Sequence, residues 1–376
     1  MTDRLKSTII LSILCLLSIA CVAEQAQETS SEYTAITNVT VIDGKGNSPQ
    51  KDMIVILKGD SIHDVAKSES YELPQNAKVI DGKGKFIIPG FVDTHAHVTV
   101  LPIDKNKNIG DKYDKEASLA SLKTMVAFGV LTVRNPAAPT KDGVELRDLV
   151  KNDSKIISPE IFTSGAALIR VESNFGPFEA TPNEIAVRGE VRKQIKVGVD
   201  YIKVYSSLKP KLVKAAIDEA HKRNVKVIGH LQNTSWTEAS KLGIDSITHA
   251  APWHKSYLPA NFKNKYRPSF KGRIDWLEKV EYQGEPINAM LDSMLENKVS
   301  FDPTLIVFHT KFWGNDPKYT KSEDLKLAHP TIREAWKAAT FVSSWKEADY
   351  KRTQKQWKKL TGLTNLIHEN VVLVTT

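Results

Sequence analysis

Between residues 33 and 88, short hydrophobic runs alternate with glycine-containing polar segments. The runs YTAITNVTVI, DMIVIL and SIHDVA have the composition of β-strands, and DGKGN and KGD between them are typical of turns. This pattern predicts a small β-sandwich domain over 33–88.

From residue 89 onward, strand-like runs alternate with helical periods. The strands are predicted at 91–98, 131–135, 160–165, 201–205, 225–230, 245–250, 299–305 and 371–376. This alternation favours a parallel sheet with crossover helices, and eight strands are the number that a closed barrel needs. The predicted fold class is α/β, with a (β/α)8 TIM-like barrel over 89–376.

Two of the helices between these strands have clear end signals. Thr181, Pro182 and Glu184 predict a capping box with proline at the first helical position, and Gly198 predicts the end of that helix. In the next helix, an apolar stripe precedes Asn224, which we expect in the left-handed conformation.

Residues 251–283 are too long and too polar for an ordinary connection. We predict an insertion over the mouth of the barrel. The aromatic and cationic groups in PWHKSYLPANFKNKYRPSFKG would suit a carboxylate-bearing substrate.

Residues 1–23 combine a basic start, an apolar run and small residues, as signal peptides do. The apolar run is shorter than the ~20 residues that a membrane-spanning helix needs. LSIAC resembles a lipobox, which would make Cys21 the lipidated first residue of an exported, periplasmic or membrane-anchored protein. Cleavage after Ala23 and an uncleaved anchor remain open, and 24–32 is predicted to be a polar tether.

Composition limits the classes of function. The chain has 376 residues, of which 41% are hydrophobic and 26% are charged, as in a globular protein with a large core. The net charge of +8 comes partly from YKRTQKQWKK, which is typical of a solvated helix face, and we expect no nucleic-acid partner. Both cysteines lie within 1–23, so we expect no disulfide and no thiol nucleophile in the folded body.

Histidines recur near the carboxyl ends of the predicted strands. In FVDTHAHVTV, His95 and His97 share one strand face with Asp93, while His230 ends the fifth strand and His249 nearly ends the sixth. The active sites of α/β barrels lie at this end of the strands. Several imidazoles that converge there are typical of a catalytic metal site.

Lys203 lies inside the fourth predicted strand, where its amine would be buried. An unpaired buried ammonium costs several kcal/mol, so a compensating feature is expected. One possibility is an ion pair with an acidic neighbour such as Asp93. The other is that CO2 adds to the amine and forms a carbamate that bridges two metal ions.

The segments IIPGFVDTHAH, VGVDYIKVY, AIDEAHKRNVKVIGH and ASKLGIDSITHA, in this order, resemble the metal-dependent amidohydrolase superfamily, specifically its imidazolonepropionase-like and prolidase-like branch. The resemblance extends from about residue 33 to the end. It implies a barrel with a small β-sandwich, and hydrolysis of C–N bonds in amides, cyclic imides or dipeptides by a metal-activated hydroxide.

The resemblance also implies a set of ligands for one or two divalent ions, with zinc as the first expectation. His95 and His97 would hold the first ion, a carboxylated Lys203 would bridge, and His230 with His249 would hold the second. Manganese, cobalt and iron remain open.

The resemblance gives expectations for the residues that act on the substrate as well. Tyr205 would contact it. Members of this group carry a catalytic aspartate after a Gly-Thr pair at the end of the eighth strand, whereas this sequence ends at Thr376 in VVLVTT. We therefore expect that aspartate to lie beyond Thr376, in a fragment or truncated product with doubtful turnover, and leave the catalytic residue unassigned. Asp302 lies too early on its predicted strand to be expected as a substitute.

Two other classes of function remain open. A metal-dependent deaminase or lactonase would use a related barrel, although VIGHLQN lacks the glutamate that deaminases normally place there. A binding-only periplasmic lipoprotein would use the barrel as a metal or solute receptor. Hydrolysis of small-molecule amides or dipeptides ranks first, and the sequence leaves the oligomeric state open.

Overall fold

A computed structural model of the chain describes residues 33–103, 112–173, 176–338, 345–370 and 374–375. The predicted signal peptide, Cys21 and the tether over 24–32 lie outside these ranges. The chain divides into two compact units at the junction between Pro89 and Gly90. In the described ranges, no helix has both the length and the apolar composition that crossing a bilayer would require.

The first unit contains one mixed β-sheet. Its strands are β1 (Tyr33–Val41), β2 (Gln50–Lys58), β3 (Ser61–Lys67), β4 (Lys78–Asp81) and β5 (Phe86–Ile87). β1 pairs antiparallel with β2 and parallel with β4 and β5, while β3 pairs antiparallel with β2. Met53 to Ile56 are buried without alternation, which puts apolar side chains on both faces. That pattern favours a sandwich, but the described residues form a single sheet here.

The second unit is built on parallel strands. They are β6 (Phe91–Asp93), β7 (Val130–Asn135), β8 (Glu160–Thr163), β9 (Ala167–Ile169), β10 (Phe178–Ala180), β11 (Tyr201–Val204), β12 (Lys226–Gly229), β13 (Ser246–Thr248) and β14 (Ser300–Asp302). One sheet has the order β6-β7-β8, and the other has the order β10-β9-β11-β12-β13-β14. Every described strand pair in this unit is parallel.

Isolated bridges extend this order of strands. Ser164, just after β8, pairs in parallel with Tyr201 of β11, and Phe301 of β14 pairs in parallel with Val374. The hydroxyl of Thr375 lies 3.1 Å from that of Thr94, just after β6. The structure therefore shows an α/β fold with parallel sheets, in which the first and last strands of the order approach each other. No backbone pairing among the described residues joins these two strands and closes a barrel.

The eighth predicted strand, 371–376, is described only at Val374 and Thr375. These two residues pair with β14, as a strand in that place would, because Val374 bridges to Phe301 and the N–H of Thr375 donates to the carbonyl of Phe301 at 2.8 Å. Thr376 lies outside the described residues. The aspartate that the resemblance places beyond Thr376 therefore stays an expectation that the structure does not test.

Helices connect the strands of the second unit. They are α1 (Lys115–Ala127), α2 (Thr140–Asn152), α3 (Glu184–Val197), α4 (Pro210–His221), α5 (Trp236–Lys241), α6 (Ala260–Lys263), α7 (Phe270–Lys279), α8 (Glu285–Glu296), α9 (Leu305–Phe312), α10 (Pro317–Thr320), α11 (Pro330–Ala338) and α12 (Glu347–Asn370). The predicted insertion at 251–283 contains α6, α7 and a short 3-10 helix, Lys255–Tyr257.

The main core lies between the strands β11 to β14 and their helices. Ile202, Ile247 and Phe301 of the strands pack in one cluster with helical residues such as Val213 and Met290, and none of the five exposes any measurable surface. Burial of a large aliphatic or aromatic side chain contributes about 1.5–3 kcal/mol to folding. This core fixes the positions of the strand ends that carry the candidate site.

Two local predictions are wrong. β6 ends at Asp93 instead of residue 98, because the Asp93 carboxylate accepts a hydrogen bond from the backbone N–H of His95 at 2.9 Å and turns the chain. α3 begins after Asn183, whose side chain accepts from the N–H of Ala186, so Asn183 is the N-cap instead of Thr181.

The predicted ends of α3 and α4 agree with the structure. Gly198 closes α3 in the left-handed conformation with φ at 103°, and Asn224, which follows α4, has φ at 55°. Both residue types tolerate positive φ, which is why they are reliable stop signals in sequence.

Candidate active site

The candidate site lies at the carboxyl ends of the parallel strands. His95 and His97 follow β6, His230 is the first residue after β12, and His249 is the first residue after β13. The N–H of Ala96, between the first two histidines, donates to the carbonyl of Arg134 on β7 at 3.0 Å. The short β6 therefore still delivers both histidines to the same edge of the sheet as the other two.

The structure brings the four predicted histidine ligands together. The ring centroids are 5.5 Å apart for His95 and His97, 5.0 Å for His95 and His249, and 4.2 Å for His230 and His249. We call this group the imidazole cluster. Three separate segments of the chain supply it, so its members meet only in the folded protein.

Every histidine of the imidazole cluster has a lowered pKa. Loss of hydration is the main cause in each case, and neighbouring positive charges act in the same direction. For His95 the hydrogen bond to Asp302 opposes the effect. His97 retains contact with solvent, so an incoming ligand can reach it. The cluster is therefore neutral at pH 7, which is the form of histidine that binds metal ions.

Lys203 lies in β11 with only 2% of its surface exposed. Its amine donates a 2.8 Å hydrogen bond to the hydroxyl of Thr248. Burial lowers the pKa of Lys203 from 10.5 to about 7, an effect that Asp302 opposes and Arg134 reinforces. Among the described residues, no ion pair joins Lys203 to Asp93, the acidic neighbour that the sequence analysis named. A pKa near neutrality leaves part of the amine unprotonated, as addition of CO2 requires.

Asp302 also belongs to this site, where the sequence analysis did not place it. It is the last residue of β14 and exposes 1% of its surface. Its Oδ2 accepts hydrogen bonds from Nδ1 of His95 at 2.8 Å and from the guanidinium of Arg134 at 3.1 Å. Pro303 ends the strand at this point, and proline after an apolar run is the signal that would have placed Asp302 at the strand end.

Arg134 is a second residue that the sequence analysis missed. Besides its bond to Asp302, its Nε donates to the carbonyl of Thr94 at 2.7 Å. It therefore ties the segment that carries His95 and His97 to the end of β7. Its only signal in the sequence is its position beside the last residue of a predicted strand.

The backbone is strained where His249 enters the site. His249 has φ at 79° and Thr304 has φ at 46°, a region that residues with a side chain seldom adopt. Nδ1 of His249 lies 2.9 Å from the hydroxyl of Thr304, and its N–H donates to the carbonyl of Asp302 at 2.7 Å. Strain of this kind is concentrated at functional sites, where the surrounding structure maintains it.

Tyr205, the predicted substrate contact, lies next to the imidazole cluster. Its ring centroid is 4.4 Å from that of His230 and 4.8 Å from that of Phe178. Burial raises the pKa of the Tyr205 hydroxyl, so it stays protonated and can donate a hydrogen bond at neutral pH.

The donor chemistry of the cluster suits a first-row metal ion. Nδ1 of His230 is buried and has no hydrogen-bond partner in the described part of the chain, which is costly unless a ligand satisfies it. Across the same ranges, no three of the His, Cys, Asp and Glu side chains stand together as a group able to hold a metal. The residues therefore fit a metal by type, neutrality and proximity, whereas a coordination geometry is not formed.

Comparison with known proteins agrees with this architecture. Residues 86–258 match the model of the amidohydrolase family. This segment includes all five predicted metal ligands and Tyr205, and Asp302 lies beyond it. A comparison with curated protein sequences finds no match.

Solved structures of similar fold cover about nine-tenths of this chain. A bottromycin amidohydrolase has a TM-score of 0.65 at 17% identity, over 91% of this chain and 68% of that one. An Xaa-Pro dipeptidase with bound methionine has a TM-score of 0.58 at 18% identity, over 91% of this chain and 78% of that one. A. niger ochratoxinase has a TM-score of 0.59 at 17% identity, over 92% of this chain and 76% of that one. At such identities the likeness concerns the fold, and the family match covers residues 86–258, less than half of the chain, so over those residues the chain is similar to the amidohydrolase family.

Proposed function

We propose that the protein is a metal-dependent hydrolase that cleaves C–N bonds of small-molecule amides or dipeptides, in the prolidase-like branch of the superfamily. The observation that carries this proposal is the convergence of the imidazole cluster with Lys203 and Asp302 at one set of strand ends. The names of the structural neighbours, which include a dipeptidase and an amidohydrolase, favour the same class of bond.

The imidazole cluster and Lys203 would hold one or two divalent ions, and zinc is our first choice. Such an ion lowers the pKa of a bound water molecule and polarises a carbonyl group when it is present. In support of this assignment, the cluster is neutral and one buried ring nitrogen, Nδ1 of His230, has no partner in the described ranges.

The protein's own groups have separable roles in this proposal. The carboxylate of Asp302 accepts a hydrogen bond from the protonated Nδ1 of His95, which leaves the lone pair on Nε2 of that ring directed away from the carboxylate. The buried amine of Lys203 would add CO2, with loss of a proton, and become an anionic carbamate. Tyr205 would donate a hydrogen bond to the substrate.

We further propose that the parallel strands close into a (β/α)8 barrel. The approach of Thr375 to Thr94 supports this, because the two residues lie at opposite ends of the strand order. Thr94 follows β6, and Thr375 follows Val374, which pairs with β14. The features of residues 1–23 support export, and a periplasmic or lipid-anchored location, as a further part of the proposal.

Turnover of dipeptides tests the proposed function. The purified chain, extended past Thr376 through the expected eighth-strand aspartate and incubated with zinc and bicarbonate, should release free amino acids from members of a dipeptide and N-acyl amino acid library. His230→Ala should lower the rate at least a hundredfold, since losses of roughly this size follow when a group essential to catalysis is removed. The exposed His368 on α12 provides the matched control, and His368→Ala should leave the rate unchanged.

Two outcomes would contradict the proposal in different ways. Metal uptake without turnover of any amide would favour the binding-only receptor. Turnover of an aminated base or of a lactone, with no release from dipeptides, would favour the deaminase or lactonase.

A further inference from the structure

The insertion over 251–283 forms a cavity of its own. Every described residue that lines this cavity lies between 258 and 279, and none of them belongs to the candidate active site. The cavity has a volume of about 390 Å³, and pockets that bind small molecules usually have about 300–1,000 Å³. Leu258, Phe262, Tyr266 and Trp276 form an apolar wall. This part of the chain, which lies outside the parallel strands, therefore has space for a ligand.

Basic side chains line the same cavity. Four of its described lining residues are basic and exposed to solvent: Lys265, Arg267, Lys271 and Lys279. Within the ranges that the structure describes, none of the four is ion-paired with a carboxylate. Asp275, the acidic residue among the described lining residues, is bound instead by Arg352 of α12 at 2.8 Å. The cavity therefore presents positive charge that the described part of the chain leaves without a counterion.

Two of these lysines lie around one aromatic ring. Nζ of Lys279 is 5.1 Å and Nζ of Lys265 is 5.9 Å from the ring centroid of Phe262. Contacts of this kind are attractive but weak, about 0.5–1 kcal/mol at exposed sites. They keep two ammonium groups next to the same residue of the cavity wall. A single anion placed at this ring would therefore be attracted to both.

The charge of the cavity belongs to a larger basic segment. Residues 255–279 contain seven basic and two acidic residues, so these 25 residues carry a net +5 of the chain's +8. Both acidic residues, Asp275 and Glu278, are hydrogen-bonded to the guanidinium of Arg352. A local excess of positive charge attracts anionic molecules and anionic membrane lipids.

The apolar wall and the basic side chains together determine the class of ligand. A purely apolar ligand would leave the ammonium groups without an anion, and a small inorganic anion would leave the wall in contact with water. Burial of apolar surface contributes about 25 cal/mol per Å², and a hydrogen bond to a charged group contributes about 1.5–3 kcal/mol. A molecule that offers both therefore binds best. Anionic phospholipids have this chemistry, because an acyl chain is joined to a negatively charged phosphodiester.

We propose that this cavity binds one molecule of an anionic phospholipid. The phosphate contacts Lys265 and Lys279. An acyl chain lies against Phe262, Tyr266 and Trp276. This binding needs neither a metal ion nor turnover, and it does not depend on the location proposed from residues 1–23.

Three soluble probes separate the effect of the charge from that of the apolar chains. Dihexanoylphosphatidylglycerol has both features, dihexanoylphosphatidylcholine has the same chains with a zwitterionic head group, and glycerol 3-phosphate has the anion without the chains. Each is titrated by calorimetry into the full chain, below the concentration at which the lipids form micelles. The phosphatidylglycerol should bind at least about tenfold more tightly than either of the other two, because only this probe satisfies both the lysines and the wall.

Variants assign the preference to the two lysines. The double variant Lys265→Met/Lys279→Met should bind the phosphatidylglycerol about tenfold more weakly and bind the phosphatidylcholine as the wild type does. Lys265→Arg/Lys279→Arg keeps both charges and should retain the preference, which a loss of folding would not allow. Lys355→Met/Lys358→Met removes two exposed positive charges from α12 and is the matched control, so it should bind all three probes as the wild type does.

Equal affinity of the wild type for the two lipids would overturn the proposal, as would failure to bind the phosphatidylglycerol. If glycerol 3-phosphate bound as tightly as the phosphatidylglycerol, the lipid would be the wrong ligand and a soluble phosphate ester would be favoured. An unchanged preference in Lys265→Met/Lys279→Met, or an equal loss in the α12 control, would contradict the assignment to this cavity.

Discussion

At the scale of single residues, Asp302 connects the two halves of the candidate site. Its side chain orients His95 and contacts Arg134, while its backbone carbonyl accepts from the N–H of His249. A carboxylate behind a histidine ligand fixes which ring nitrogen carries the proton and makes the other a better donor. Asp302 is therefore placed to position the candidate ligands His95 and His249.

Asp302→Asn tests this role. The amide keeps the shape of the side chain but removes its charge, so His95 should lose its fixed orientation, and zinc affinity should fall by about 10- to 100-fold. Competition with a chromophoric chelator measures the affinity. Asp292→Asn, an exposed change on α8, is the control, and equal zinc affinity in all three proteins would contradict the role of Asp302.

The lowered pKa of Lys203 predicts how stability depends on pH in the metal-free protein. Between about pH 7 and 10.5, the unfolded chain keeps a proton on this lysine that the folded protein has released. The free energy of unfolding should therefore rise with pH across this window, and the full cost of burying the amine should apply below it.

Urea unfolding in CO2-free buffer with EDTA measures this dependence. Lys203→Met should remove the part of the rise that comes from this group, whereas Lys355→Met should retain it. The same rise in the wild type and in Lys203→Met would show that another group is responsible.

The residue types of the site could be read from the sequence, but one of their contacts could not. The order of HxH, Lys, His and His identified the candidate ligands because each lies near a predicted strand end. The bond between His95 and Asp302 joins residues 207 positions apart, and no local pattern reports such a contact. Pro303 marks the end of β14, but the apolar residues before and after it extended the predicted strand to residue 305.

At the scale of elements, prediction succeeded where strands are regular and bounded by clear signals. β7, β11, β12 and β13 lie within two residues of their predicted bounds at each end. β6 is five residues shorter than predicted, because the Asp93 turn overrides the apolar pattern. β9 and β10 were not predicted, because strands of three residues are too short to show a period.

The N-terminus of α3 gives a test at this scale. Asn183→Ala removes the side chain that accepts from the N–H of Ala186, and it should lower the free energy of unfolding by about 1 kcal/mol. Urea denaturation checks this, with Asn152→Ala at the exposed end of α2 as the control. A loss no larger than that of the control would mean that Asn183 does not cap the helix.

At the scale of the whole molecule, the second unit alone contains every residue of the candidate site. Its parallel strands place three separate segments at one edge. The sequence predicted this arrangement because strand and helix alternate along the chain. Whether the first unit forms a sandwich remains a prediction, since the described residues show one sheet.

Metal content in the presence and absence of bicarbonate tests the central claim most directly. After EDTA treatment and incubation with zinc, mass spectrometry of the desalted chain should find one or two ions per chain, with more bound when bicarbonate is present. Lys203→Met should abolish the effect of bicarbonate, because it has no amine to form the carbamate. A wild-type chain that binds no zinc under either condition would contradict the claim that these histidines and the lysine form a shared metal site.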